Sequence, residues 1–246
     1  MKFLQIKFRE KQSEWCVKRG LSWHISTLIT RNVYSGNMEL KWYAHIFDSC
    51  QQDWYAVCSI IENTLEVVKE EHPQITQVNL RGNEAGCYHN NFLLAVVRDA
   101  GTRVGIEVAR YDLSEPQYGK DICDRILCPM KSSIGRYCNE RHDIVCAKDV
   151  RVALPERPVQ GTTASVCSIN ETQKTLEVHK IDGFSKYHNS KFEVEGIRAW
   201  RAHGVGLVRF IPYREVITEP QGPTDLIVHE NFFPLKEARV YKREAK

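Results

Sequence analysis

No stretch of this chain holds the roughly 18 uncharged apolar residues that a membrane-spanning helix needs; the apolar run Phe92–Val97, for instance, stops at Arg98 and Asp99. No membrane partner is therefore expected. A secretory leader is not expected either, because Lys2 and Lys7 interrupt the apolar residues at the N-terminus. Collagen-like, low-complexity and internally repeated patterns are missing, which excludes fibrous and disordered classes. Neither sign of charge dominates, with 34 Lys and Arg against 31 Asp and Glu. An even cysteine framework is lacking too: the nine cysteines are an odd number, scattered along the chain. That usage points to a reducing compartment, nuclear or cytoplasmic.

What is present is ordinary globular material. The 246 residues are 42% hydrophobic and 26% charged, enough for one full domain with an appendage or for two small domains. Charge is unevenly placed: residues 1–20 carry +4, residues 236–246 carry +3, and the middle carries −4. Basic ends on a mildly acidic body suit nucleic acid, and solvated termini look the same.

Ser22–Ile29 and Leu40–Phe47 are rich in β-branched and aromatic residues, and Tyr34-Ser35-Gly36-Asn37 between them is turn chemistry. The pattern predicts an antiparallel hairpin, with a short edge strand supplied by residues 1–8. Val57, Ile60, Ile61, Leu65 and Val68 recur at helical spacing, so residues 54–71 should form a helix capped by Asp53. Alternation at Ile75–Leu80 predicts a strand, Asn90–Ala100 a helix closed by Gly101, and Val104–Leu113 another strand. Ile122, Ile126, Met130, Ile134 and Tyr137 mark one helix face, with Pro129 as a potential kink. Past Leu154 the pattern changes. Pro155, Pro158 and Gly161 read as a linker, followed by strand-like runs such as Thr175–Ile181 and Gly206–Ile211. Antiparallel strands followed by βαβ units imply an α/β fold in which residues 22–29, 40–47, 75–80 and 104–113 share one mixed sheet flanked by helices. The expected division is 1–154 for that domain and 155–246 for a smaller strand-rich appendage.

This element order fits the RNase H-like fold, and four stretches carry a closer resemblance: Trp15–His24, Asp48–Asp53, Ala85-Gly86-Cys87-Tyr88-His89 and Tyr111–Arg125. Together with Gly196–Ala202 they resemble a family of uncharacterised, transposon-derived animal proteins with an RNase H-like core of the DDE/D transposase type. The resemblance implies three carboxylates holding two Mg²⁺ or Mn²⁺ ions, hard cations that take oxygen ligands and activate a nucleophile for phosphodiester chemistry. It also implies that the first acid lies upstream of Met1, so that the chain is shortened at its N-terminus. The fourth-strand position is Asn83, where the family tends to have Asp; an amide keeps the shape and loses the charge. Glu84 is a weak substitute. The third acid falls at Asp124 or Asp121, with Asp112 and Glu115 as weaker candidates. Asp121 and Asp124 also read simply as carboxylates placed favourably at a helix N-terminus.

Other constellations have bland explanations beside the sharp ones. Cys123-x4-Cys128 and Cys138-x3-His142-x3-Cys146 offer zinc ligands in no standard spacing, and buried thiols account for them better. Cys87 and His89 need not converge as a nucleophile and base. His24, His45 and His89 read as ordinary core or surface histidines, and Trp15, Trp23, Trp54 and Trp200 as packing anchors. Arg198, Arg201 and Arg209 around Trp200 suit phosphate contact with base stacking, or equally a solvated strand face. The expectation is a degenerate transposase-derived protein, catalytically inactive, serving as a DNA-binding or interaction module; the alternative is an active Mg²⁺- or Mn²⁺-dependent nuclease or strand-transfer enzyme.

Overall fold

The structure is a computed structural model that describes residues 2–7, 20–114, 121–235 and 237–241. The elements in chain order are β1 (Lys2–Leu4), β2 (Gly20–Arg31), β3 (Met38–Phe47), α1 (Trp54–Glu71), β4 (Gln77–Gly82), α2 (Asn91–Val104), β5 (Glu107–Leu113), α3 (Ile122–Asn139) and α4 (Ala147–Glu156). They continue with β6 (Thr162–Ile169), β7 (Glu177–Val178), β8 (Asn189–Phe192), β9 (Gly196–Ala202), β10 (Val205–Pro212), α5 (Tyr213–Val216), β11 (Ile217–Glu219), β12 (Leu226–Glu230) and β13 (Arg239–Tyr241). The protein is thus mixed α/β. Of its helices, none among the described residues is long and apolar enough to cross a membrane. Trp15, Glu115 and most of the basic residues at both ends lie outside the described residues.

Two compact units form, and they interleave along the chain. The first takes the described residues of 1–50, 119–168 and 227–246, the second those of 51–118 and 169–226. The first unit is built on a sheet of order β1-β2-β3-β6-β12, with β13 also pairing β3. Its nucleus is the expected hairpin, β2 antiparallel to β3 from Ser22↔Phe47 to Arg31↔Met38. The turn is set by Asn32, whose Oδ1 accepts from the amides of Tyr34 and Ser35, and by Gly36 in the left-handed region at φ 67°. The expected short edge strand is β1, antiparallel to β2. Strand alternation then decides the packing. Leu40, Trp42, Ala44 and Ile46 of β3 join Leu21 and Trp23 of β2 in a core closed by Ile126, Met130 and Ile134 of α3 and Val150, Ala153 and Leu154 of α4. Tyr43 and His45, on the other face, meet Phe232 edge to face. Helix α3 runs through Pro129 without ending there.

The second unit is built on a sheet of order β10-β9-β8-β5-β4. β4 and β5 are parallel, joined by α2, and β8, β9 and β10 extend the sheet as an antiparallel meander. Asp53 caps α1 as predicted, its Oδ1 accepting from the Ala56 amide at 2.9 Å. Helix α2 does not close at Gly101 but continues to Val104, and its left-handed C-terminal residue is Gly105 at φ 77°. Gly101 has a different purpose. A Cβ there would stand 2.5 Å from the Ile106 carbonyl oxygen and 2.6 Å from Val108 Cγ2, so this glycine lets helix and strand approach closely.

Two expectations are corrected. The four strand segments do not share a sheet: β2 and β3 belong to one, β4 and β5 to the other. The parallel place beside β3 is taken by β6, whose Thr162–Cys167 are buried, a strand of small and hydroxyl residues with no hydrophobic alternation to announce it. The Pro155–Gly161 stretch does not separate two bodies either. Pro155 lies inside α4, and the strands beyond it are divided between the units, β6 and β12 in the first sheet, β8 to β10 in the second. The hydrophobic run Thr175–Ile181 contributes only the two-residue β7, whereas Gly206–Ile211 falls within β10.

Candidate functional site

The residues singled out by the resemblance are divided between the two units. Asp121 and Asp124 belong to the first unit, Asn83 and Asp112 to the second. Asp121 is the N-cap of α3, its carboxylate accepting from the Ile122 amide, and Asp124 stands exposed in the first turn of that helix. Both therefore do what carboxylates commonly do at a helix start. Asp112 accepts from Asn189 Nδ2 at 2.8 Å and pairs with Arg110 at 3.1 Å. Asn83 Oδ1 accepts from the Ala85 amide at 3.1 Å. A hard divalent ion needs several oxygens converging on one point; Asn83, Asp112 and Asp121 are each committed to a local contact, and Asp124 is exposed.

The basic-aromatic group fares similarly. Trp200 is buried, Arg198 forms a two-pronged pair with Glu193 at 2.7 and 2.9 Å, and Arg209 donates to the Asp182 carbonyl. Among the described cysteines, Cys58, Cys138 and Cys167 are buried as small core residues. Cys138 is buried against the Ile6 and His142 carbonyls, and burial pushes Cys123 up to about 11 beside Thr27.

A different cluster does assemble, within the second unit. Following β4, the chain makes a tight turn in which the amides of Tyr88 and His89 both donate to the Ala85 carbonyl. Asn90 locks it: its Nδ2 donates to the carbonyls of Gly86 and Cys87, and its Oδ1 caps α2 by accepting from the Leu93 amide. Tyr111 of β5 adds a 3.0 Å bond from its hydroxyl to the Tyr88 carbonyl. The turn so held brings Glu84 and His89 together. His188 arrives from the start of β8, its backbone held by the Trp200 carbonyl and the Leu113 amide.

One ligand atom from each of Glu84, His89 and His188 lies within 4.8 Å of the others. Glu84 Oε1 is 3.0 Å from His188 Nδ1 and 3.5 Å from His89 Nδ1. Phe184 packs on the His89 ring at 4.8 Å. Glu84 Oε2, His89 Nε2 and His188 Nδ1 are buried and make no hydrogen bond of acceptable geometry, His188 Nδ1 included despite its 3.0 Å approach to Glu84. Each such atom costs about 1–3 kcal/mol. Burial lowers the His89 pKa and His188 lowers it further, while Glu84 and the backbone of Phe184 and Tyr187 act in the opposite sense. Beside the cluster, Phe184 lines a cavity of about 420 Å³ together with Asn91, whose Oδ1 is also buried without a hydrogen bond, and Lys180.

His89, expected as a single histidine in an ordinary role, and Glu84, expected as a weak substitute for Asn83, stand beside each other and beside His188. Sequence reasoning missed His188 because 99 positions separate it from His89, and only the β5–β8 pairing closes that distance. Compared with known proteins, the chain matches no family model, no curated protein and no solved structure.

Proposed function

We propose that this protein is a non-catalytic nucleic-acid-binding module of RNase H-like, transposase-derived ancestry, and that it has no two-metal nuclease chemistry. The observation that carries the reading is the local engagement of Asn83, Asp112 and Asp121, with Asp124 exposed in a helix first turn. Accumulated negative charge is what lets such a site hold two hard cations, and Asn83 contributes none at the place where the resemblance expects an acid.

Phosphate contact is supported by α3. Its only acid is Asp124, against Arg125, Lys131 and Arg136, all exposed. Arg125 and Arg136 are eleven residues apart, nearly in line along the helix and about 16 Å apart. Arg136 also lines a cavity of about 640 Å³ with Ser132 and Arg157, donors suited to phosphate oxygens, and with the carboxylate of Glu156. The test is anisotropy of labelled duplex and single-stranded DNA against salt concentration. Binding should weaken steeply with salt, and the combined Arg125→Gln, Lys131→Gln, Arg136→Gln variant should flatten the log–log slope for duplex by about 2.7. An unchanged slope refutes the assignment to α3. Incubation of the same DNA in Mn²⁺ should give no cleavage; robust cleavage that disappears in Asp124→Ala would establish the nuclease or strand-transfer reading instead.

A further inference from the structure

We propose that Glu84, His89 and His188 bind a single divalent transition-metal ion of borderline softness, with Zn²⁺ the fitting case, and that the ion clips the 83–90 turn to the strand beginning at Asn189. The donor set is two imidazoles and one carboxylate, a combination that Zn²⁺ accepts and that Mg²⁺ does not favour. Ligands at 2.0–2.1 Å around a tetrahedral ion are about 3.4 Å apart; the Glu84 oxygen stands 3.0 and 3.5 Å from the two histidine nitrogens, and the ligand atoms of the three residues all lie within 4.8 Å of one another. At its 3.0 Å approach to Glu84, His188 Nδ1 still makes no hydrogen bond of proper direction, and Glu84 Oε2 and His89 Nε2, the other polar atoms of their side chains, are also buried without a partner. Donors crowded around a common point and aimed past one another are what a shared cation resolves.

The surroundings are prepared for such a role. Asn90, Tyr111 and the Ala85 carbonyl hold the turn from three directions, and the sheet holds His188, so the ligands are positioned by backbone contacts and not by the ion alone. Side-chain exposures of 16%, 8% and 19% for Glu84, His89 and His188 leave a path for the ion while excluding most solvent. A clip between positions 89 and 188 closes a long loop of the second unit, where a cross-link restricts the unfolded chain most. This inference does not depend on nucleic-acid binding, and its test reads neither DNA affinity nor cleavage.

The full chain, stripped with chelator and kept reduced, is titrated with ZnCl₂ by calorimetry. One equivalent should bind. Glu84→Gln and His188→Gln should each weaken that binding by about 100-fold, whereas His142→Gln, near the alternative Cys138 and Cys146 ligands, should leave it unchanged. Zinc X-ray absorption on the wild-type protein provides a readout that no misfolded variant can blur: a shell of nitrogen and oxygen at about 2.0–2.1 Å, free of sulfur, is expected. Failure to bind one equivalent, sulfur in the shell, or Glu84→Gln and His188→Gln variants that bind as the wild type does would each overturn the proposal.

Discussion

Two glycines in helix interiors should respond to the same substitution with opposite sign. Glycine to alanine in a helix gains about 0.5–1 kcal/mol by restricting the unfolded chain and removing exposed backbone. Gly135 in α3 has nothing within 4 Å of the position a Cβ would take, so Gly135→Ala should realise that gain. Gly101 in α2 has the Ile106 carbonyl oxygen at 2.5 Å and Val108 Cγ2 at 2.6 Å from the same position. The first of these is backbone, belonging to the chain that leads into β5, and it cannot swing aside as a long side chain would. Overpacking of this kind costs about 1–3 kcal/mol, and a contact against main chain belongs in the upper half of that range. After subtracting the helix gain, Gly101→Ala should destabilise the protein by about 1–2 kcal/mol. In urea unfolding followed by far-ultraviolet circular dichroism, with a slope of about 2 kcal/mol per molar, its midpoint should fall by about 0.5–1 M while that of Gly135→Ala rises. A Gly101→Ala variant as stable as the wild type would show that α2 and β5 do not approach as described.

Glu62 is buried and receives both Arg103 nitrogens at 2.6 and 2.8 Å and the Thr224 hydroxyl at 2.7 Å. Glu62→Ala leaves the partly buried guanidinium without its partner and should cost about 3 kcal/mol, near the lower end for breaking a buried pair, read from the same unfolding curves. His24 lies directly across from His45 in the β2–β3 hairpin, and burial, reinforced by His45, pushes its pKa down to about 3. The unfolded chain takes up this proton near pH 6.5 and the native chain does not, so stability should be fully present above pH 6.5. It should fall by about 1.4 kcal/mol per unit as pH drops from there toward 3. Unfolding at pH 7.5, 6 and 5 in parallel with His24→Gln isolates this contribution; an identical pH dependence in both proteins would remove His24 as its source.

Local elements were legible because local chemistry specifies them. Asp53 ahead of an apolar stripe announces α1, and the Tyr34–Asn37 turn announces the hairpin, since a capping carboxylate and a left-handed glycine act within a few residues of themselves. The same locality misled at Gly101, where a glycine required by its neighbour in β5 looks like a helix stop. Residue type alone does not say which neighbour a side chain answers to.

The sequence by itself determined that this is a mixed α/β protein, where α1 and the first hairpin lie, and that Asn83 brings no charge to its turn. Only the tertiary structure decided which strands share a sheet, because a parallel partner for β3 is chosen by the fit of buried faces across more than a hundred residues, and β6 with its small side chains fits. The tertiary structure likewise joined His188 to Glu84 and His89. Strand pairing between β5 and β8 is a long-range contact with no periodic trace in the intervening chain, and it is this pairing that brings His188 beside Glu84 and His89.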